Sequence, residues 1–215
     1  MPLVRRIKGI FALMKEDYFM ETSLKLLQSA DYLTTMWSGG TTKQLLIFPA
    51  SAVYANRDFI WRVSSATVEL DESDFTPLPD YCRFISTVEG CISLSHDGGK
   101  RRVLYAGDIH KFDGGERTHS CGRCTDFNLM LRKGQADGVM STRNIRPGKA
   151  SLNLDARAEV ALLYCVKGKC DISYGLGKVC ATVDDAVLIE GIQDVSVALG
   201  CKENTVLMIT QMWRL

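Results

Sequence analysis

Val88-Glu89-Gly90 and, later in the chain, Val166-Lys167-Gly168 form the first of three block pairs that recur in the same order at nearly the same offset. The second pair is Gly107-Asp108-Ile109-His110-Lys111-Phe112-Asp113-Gly114 against Asp184-Asp185-Ala186-Val187-Leu188-Ile189-Glu190-Gly191, and the third is Leu129-Met130 against Leu207-Met208. Ordered self-similarity points to two copies of one supersecondary unit, and a strand-built unit of this length is too long for a solenoid turn. Two small β-barrels or jelly rolls packed together fit it, with Gly90 and Gly168 expected in equivalent turns. A chance match of short hydrophobic blocks is the competing reading.

The sequence around these blocks reads as strands. Gln44 to Phe48, Phe59 to Leu70, Arg83 to Val88, Phe127 to Leu131, Val160 to Val166 and Val206 to Thr210 are rich in β-branched and aromatic residues, with Gly, Pro, Asn and Asp clusters between them. His96-Asp97-Gly98-Gly99, between Cys91 to Ser95 and Arg101 to Tyr105, is a hairpin signal because Asp-Gly supplies the positive φ of a tight turn. Helical periodicity is absent after about residue 35, and the expected fold is all-β. Residues 1 to about 19 look appended, and their Val4, Ile7, Phe11 and Met14 spacing suits a short amphipathic helix. The division that follows is an N-terminal extension over 1–30 and barrels over 31–134 and 135–215.

Composition narrows the function. Lys and Arg number 26 against 25 Asp and Glu, a net charge of +1, which argues against nucleic-acid binding and against a polybasic membrane anchor. Hydrophobic residues at 46 % and charged residues at 24 % supply a sizeable core and exclude a disordered chain. The eight Cys are spread through a medium-sized chain, and the apolar run Ile7 to Met14 is interrupted by Lys8 and too short to cross a bilayer. The expectation is a cytoplasmic protein with reduced thiols and no membrane partner. A homodimer is left open.

Five motifs in order resemble one family. They are Trp37-Ser38-Gly39-Gly40-Thr41-Thr42-Lys43-Gln44-Leu45, Trp61-Arg62-Val63-Ser64-Ser65-Ala66-Thr67-Val68-Glu69, Phe75-Thr76-Pro77-Leu78-Pro79 with Arg83, Phe112-Asp113-Gly114-Gly115, and Thr125-Asp126-Phe127-Asn128-Leu129-Met130. Together they make the chain similar to the HutD/Ves family across residues 32 to 134, with only the general pattern continuing beyond. The resemblance implies a bicupin, two cupin-like barrels of jelly-roll type in tandem. It also implies an association with histidine utilisation or stress responses, and no defined catalytic activity. Ser38 stands where many relatives carry Asn, and two glycines stand where they carry three.

The residues allow some chemistry and disfavour other kinds. A cupin metal site uses an H-x-H pair, a carboxylate and a distant third His, but His96, His110 and His119 form no such pair. Cys121-Gly122-Arg123-Cys124 has C-x-x-C spacing without a second close pair, and it leads into a strand where a redox motif would open a helix. No metal and no cofactor are expected. Arg62 shares a strand face with Ile60, Ser64, Ala66 and Val68, and Arg83 opens another strand. A guanidinium lining a barrel is a natural receptor for a carboxylate, although an internal ion pair with Glu69, Glu89 or Asp126, or a solvent-facing Arg, fits equally. Thr41, Thr42 and the glycine-rich loop could add polar contacts, and Trp37 and Trp61 could form a wall.

The expected function is binding of a small carboxylate in a metal-free barrel, in an accessory or regulatory role, with Arg62, Arg83, Thr41, Thr42, Ser64 and Trp37 as ligand residues. For a HutD-like protein the ligand class is N-formylglutamate or another histidine-degradation intermediate. The alternative is a metal-independent isomerase, epimerase or hydrolase with Glu69, Asp126 or His110 as acid/base. A purely structural interaction module is the third reading.

Overall fold

A computed structural model describes residues 22–215. Those residues form β1 (Ser23–Leu27), β2 (Leu33–Trp37), β3 (Gly40–Phe48), β4 (Trp61–Val68), β5 (Glu72–Asp74), β6 (Tyr81–His96), β7 (Arg102–Tyr105), β8 (His110–Asp113), β9 (Thr118–Cys121) and β10 (Cys124–Arg132). They continue through β11 (Ala136–Ile145), β12 (Gly148–Asn153), β13 (Val160–Lys167), β14 (Lys169–Tyr174), β15 (Gly177–Thr182), β16 (Ala186–Glu190), β17 (Ser196–Cys201) and β18 (Thr205–Arg214). Two 3-10 turns, Ser29–Asp31 and Tyr54–Asn56, are the only helical segments among the described residues, and no helix there is long and apolar enough to cross a membrane. The chain is all-β.

Three sheets carry the fold. The first runs β2-β3-β4-β10-β6-β9-β5, with β7 and β8 also paired to β6; the second runs β1-β16-β13-β18-β11; the third runs β12-β17-β14-β15. Between the first and second sheets lies a core of Trp61, Val63, Phe127, Leu129, Leu131, Leu162, Tyr164, Leu188 and Met208. Ala161, Leu163, Cys165, Ile172, Val187, Val197, Leu207 and Ile209 fill a second core, between the second and third sheets. Because β13 is buried on both faces, it reads as an unbroken apolar run, Val160 to Val166, with no alternation. β10 differs. Phe127, Leu129 and Leu131 enter the first core, whereas Asp126 and Asn128 point to the opposite face, as period-2 geometry requires.

The repeat is visible in the backbone register. In β6 and β10, Glu89 faces Thr125 and Thr87 faces Asp126, so Val88 is bulged out of the ladder. In β13 and β18, Lys167 faces Val206 and Cys165 faces Leu207, which bulges Val166 in the same way. Gly90 and Gly168 follow these bulges with φ of 76° and 81°. The second block also aligns, since the Gly107 N–H donates to the Thr87 carbonyl at 2.9 Å and the Asp184 N–H donates to the Cys165 carbonyl at 3.0 Å. The third block does not. Counting from the bulges, Leu207-Met208 stands where Asp126-Phe127 stands, three residues short of Leu129-Met130, so that match came from the shared hydrophobicity of two core strands.

At the expected hairpin, Ile92 faces Leu104 and Ser93 faces Val103, with Asp97 and Gly98 at positive φ. The helix expected over residues 1–19 lies outside the described residues. Part of the segment assigned to the N-terminal extension is a strand: β1 pairs with β16, Leu26 facing Val187, and Leu24 and Leu26 pack against the second core. All eight cysteines are free thiols.

Candidate functional site

The face of the first sheet turned away from the central core carries the candidate site. Met130 of β10 faces Arg62 of β4 on one side and Arg83 of β6 on the other, which places the two arginines on neighbouring strands at one level. Asn128 and Asp126 follow along β10 on the same face. A cavity of about 270 Å³ opens over these side chains. Its walls are completed by Trp37 and Thr42 of the β2–β3 hairpin, Tyr54, and Phe75 and Thr76 after β5. Gly39 makes room for the Trp37 wall, since a Cβ there would lie 2.2 Å from a ring carbon.

Both arginines are buried, 5 % and 6 % exposed. Arg62 donates from Nε to Gln44 Oε1 at 2.8 Å and from Nη1 to Ser64 Oγ at 3.0 Å, with the Tyr54 ring 4.3 Å from its guanidinium carbon. Arg83 donates from Nη2 to Asn128 Oδ1 at 3.1 Å and lies against the rings of Phe75 and Phe112, while its buried Nε has no partner. Burial lowers both guanidinium pKa values, that of Arg62 to about 10. Asp126 Oδ1 accepts from the Ala66 N–H at 3.1 Å and from Asn128 Nδ2 at 2.8 Å. Burial pushes its carboxyl up to about 7 despite the opposing pull of Arg83 and these hydrogen bonds. The internal ion pair admitted by the sequence is absent among the described residues: every donor contact of Arg62 and Arg83 goes to a neutral oxygen. Two desolvated cations therefore share a cavity with one buried carboxylate, Asp126, whose ionisation burial opposes, while the exposed Asp74 stands at its edge.

Of the residues expected to hold a ligand, Arg62, Arg83, Ser64, Thr42 and Trp37 border this cavity. Thr41 does not. On an extended strand its side chain points opposite to that of Thr42, and its hydroxyl sits 3.0 Å from Thr67 Oγ1 on the other face. Trp61 stacks on Phe48 within the core, ring centroids 4.4 Å apart. Among the acid/base candidates, Asp126 lines the cavity, Glu69 is exposed, and His110 pairs with His96 at 2.8 Å between Nε2 atoms away from it. Burial, followed by the charges of Arg102 and His96, lowers His110 to about 4. Sequence reasoning does not single out Tyr54 or Gln44. Tyr54 sits in a loop turn with no periodicity to betray it, and Gln44 passes for an ordinary strand residue.

The second half contains no matching polar face. At the register positions of Arg83, Asp126 and Asn128 stand Ala161, Leu207 and Ile209, all inside the second core. A larger groove of about 930 Å³ opens where the halves meet, lined by Lys43, Thr87, Glu89, Thr142, Tyr164 and Asp184 among others. Two of its charged groups are already engaged, Lys43 with Asp184 at 3.1 Å and Asp184 with the Tyr164 hydroxyl at 2.5 Å. The smaller cavity is the better candidate because its two cations are buried and still lack a carboxylate partner.

An all-β chain of curled antiparallel sheets with a buried polar pocket in one half is a cupin-like protein. Solved structures of the same fold include YhhW from Escherichia coli, 11 % identical, with TM-score 0.66 over 88 % of this chain and 97 % of that one. The chain belongs to the HutD family, whose model matches residues 29–208 and so spans both halves. It is similar in fold to HutD from Pseudomonas fluorescens, 18 % identical, with TM-score 0.73 and coverage of 90 % and 100 % of the two chains. A conserved protein of unknown function from Pseudomonas aeruginosa is 23 % identical, with TM-score 0.78 and coverage of 89 % and 99 %. No curated protein matches the chain.

Proposed function

We propose that this chain binds a small carboxylate metabolite in the polar cavity of its first half, with Arg62 and Arg83 as the anion receptors, and acts as an accessory or regulatory protein of histidine utilisation. The observation that carries this reading is the pair of buried guanidiniums without a carboxylate partner, one with an unpartnered Nε. A desolvated guanidinium is costly unless paired, and an entering carboxylate supplies the bidentate acceptor that the protein withholds. A cavity of about 270 Å³ suits a small metabolite, and membership of the HutD family favours an N-formylglutamate-like acid or a related intermediate.

The architecture in this reading is two cupin-like barrels in tandem, residues 31–134 and 135–215, of which the first binds and the second, packed with Leu, Ile, Val and Cys, is structural. The protein works in the cytoplasm without metal in this cavity and without nucleic-acid or membrane partners. A thermal-shift screen of histidine, urocanate, formiminoglutamate and formylglutamate tests it, because a ligand bound only by the native state raises stability by RT ln(1 + [L]/Kd). Stabilisation by an acid that calorimetry then shows to bind one per chain supports the proposal; no stabilisation by any small acid defeats it.

A second reading rests on Asp126. A carboxyl held near neutrality beside two cations is able to give or take a proton at physiological pH, as an isomerase, epimerase or hydrolase of a small acid requires. Chemical change of the stabilising acid on prolonged incubation, lost in Asp126→Asn, would select this reading over simple binding.

A further inference from the structure

On the outer face of the β5–β9 pair, whose residue Asp74 also borders the cavity, four metal-ligating side chains converge. The antiparallel register sets Glu72 opposite Cys121 and Asp74 opposite His119, and alternation along both strands puts all four on one face. The carboxylate of Glu72, a ring nitrogen of His119 and Sγ of Cys121 lie within 4.8 Å of one another. Glu72 Oε1 is 3.8 Å from Cys121 Sγ, and Glu72 Oε2 is 3.9 Å from His119 Nε2. Ligand atoms around tetrahedral zinc stand roughly 3.3 to 3.8 Å apart, as bond lengths of about 2.0 to 2.3 Å dictate, so the Glu72 spacings are near that range and contraction of about an ångström or less completes the set.

We propose that Glu72, His119 and Cys121 form a binding site for zinc or a similar thiophilic divalent ion, with water in the fourth position. The decisive detail is Asp74, whose Oδ1 lies 2.8 Å from His119 Nδ1. This contact fixes the proton on Nδ1 and leaves Nε2, the nitrogen facing Glu72, as the free donor, the carboxylate–histidine arrangement that orients imidazole toward a metal. One thiolate, one imidazole and one carboxylate exclude magnesium and calcium, which take oxygen ligands. Cys124, the other member of C-x-x-C, is buried, with its thiol pushed up to about 12 chiefly by that burial, and takes no part. The proposed set lies outside the C-x-x-C and H-x-H spacings on which the metal-free expectation rests, because no single segment contains it. β5 is held in its sheet by β9 alone, so the ion would clip an edge strand whose continuation, Phe75, lies over Arg83.

The proposed site does not require a ligand in the cavity and is tested without one. The reduced, chelator-stripped full chain is titrated with Co²⁺ and then with Zn²⁺. One equivalent of cobalt is expected to give a thiolate charge-transfer band and visible absorption of tetrahedral strength, both displaced by zinc. Cys121→Ser should abolish the charge-transfer band, and Glu72→Gln and His119→Gln should weaken binding at least about tenfold. Asp74→Asn should weaken it about tenfold with an unchanged spectrum, the mark of a positioning residue. Cys124→Ser should leave the titration as it was. If Cys121→Ser lowers the folded fraction, the exposed Glu72→Gln variant carries the test. Absence of saturable cobalt absorption, or a charge-transfer band that survives Cys121→Ser, would overturn the proposal.

Discussion

Arg83 and Asp126 share one cavity with an amide interposed between their charges: the guanidinium donates to Asn128 Oδ1 at 3.1 Å, and Asn128 Nδ2 donates to Asp126 Oδ1 at 2.8 Å. Asn128 thus satisfies both groups partway and neutralises neither. A direct Arg83–Asp126 pair would have closed the site electrostatically, whereas the relay leaves the guanidinium available to an incoming anion. The second half dispenses with this arrangement by placing Leu207 and Ile209 at the equivalent positions.

Arg62→Ala should abolish binding of the best acid while leaving the protein folded, and Arg62→Lys should weaken it because an ammonium lacks the bidentate fork. Loss of a desolvated charge-assisted pair costs on the order of 2 to 5 kcal/mol, more than tenfold in affinity. Calorimetry on the folded variants measures this directly. Unchanged affinity in Arg62→Ala would remove Arg62 from the receptor.

Asp126 makes stability and binding depend on pH. Its folded pKa of about 7 lies above the ordinary 3.8, so between those values the folded chain holds a proton that the unfolded chain has released. Stability should therefore fall as pH rises from about 4 through 7, by an amount on the order of a few kcal/mol when complete. Asp126→Asn keeps the Oδ1 acceptor and loses the titration, so denaturant unfolding at pH 5 and pH 8 should show wild type losing more stability than the variant. Affinity for an anion should likewise decline above pH 7 in wild type, where the ionised carboxylate repels it, and less in the variant. Parallel pH profiles would contradict the assignment.

The long core strands β3, β4, β6, β10, β13 and β18 were legible in the sequence because they bury one face or both, which leaves either alternation or an unbroken apolar run, whereas exposed strands such as β2 and β5 carry no such pattern. Arg62 and Arg83 were legible for the same reason, as charges set among apolar or small residues on one strand face. Other features depend on register, which local pattern does not encode. Thr41 and Thr42 look interchangeable until pairing assigns each a face, and β1 hides in Ser23–Leu27 because its partner β16 lies far along the chain. Tyr54 reaches Arg62 from a loop turn. His119 and Cys121 meet Glu72 only through the β5–β9 ladder, so neither segment carries zinc spacing by itself.

The two bulges should respond alike to mutation. Gly90 and Gly168 both adopt φ near +80°, and a Cβ would come within 2.8 Å of the Arg123 carbonyl oxygen and 2.7 Å of the Asn204 carbonyl oxygen, respectively. Strain and contact with backbone act together, so Gly90→Ala and Gly168→Ala should each destabilise by about 1 to 3 kcal/mol. Denaturant midpoints at unchanged slope provide the comparison. A large cost at one glycine and none at the other would show that the bulges are not energetically equivalent.

Gly39 separates binding from stability at the mouth of the cavity. Its missing Cβ leaves the space that the Trp37 ring occupies, and Gly39→Ala would place a methyl group 2.2 Å and 2.3 Å from two ring carbons. Trp37 is 39 % exposed and free to swing outward, so the clash should resolve by moving the ring and not by opening the fold. The expected cost in stability is about 1 kcal/mol or less, the scale of a surface change that disturbs little buried packing. The cavity loses its aromatic wall in the process. Affinity for the best acid should therefore fall several-fold, and Trp37→Ala should lower it by a similar amount because it removes the same wall by another route. Calorimetry beside thermal unfolding distinguishes the cases: a Gly39→Ala protein that melts early with unaltered affinity would mean that the glycine serves the hairpin alone, and that Trp37 takes no part in holding the ligand.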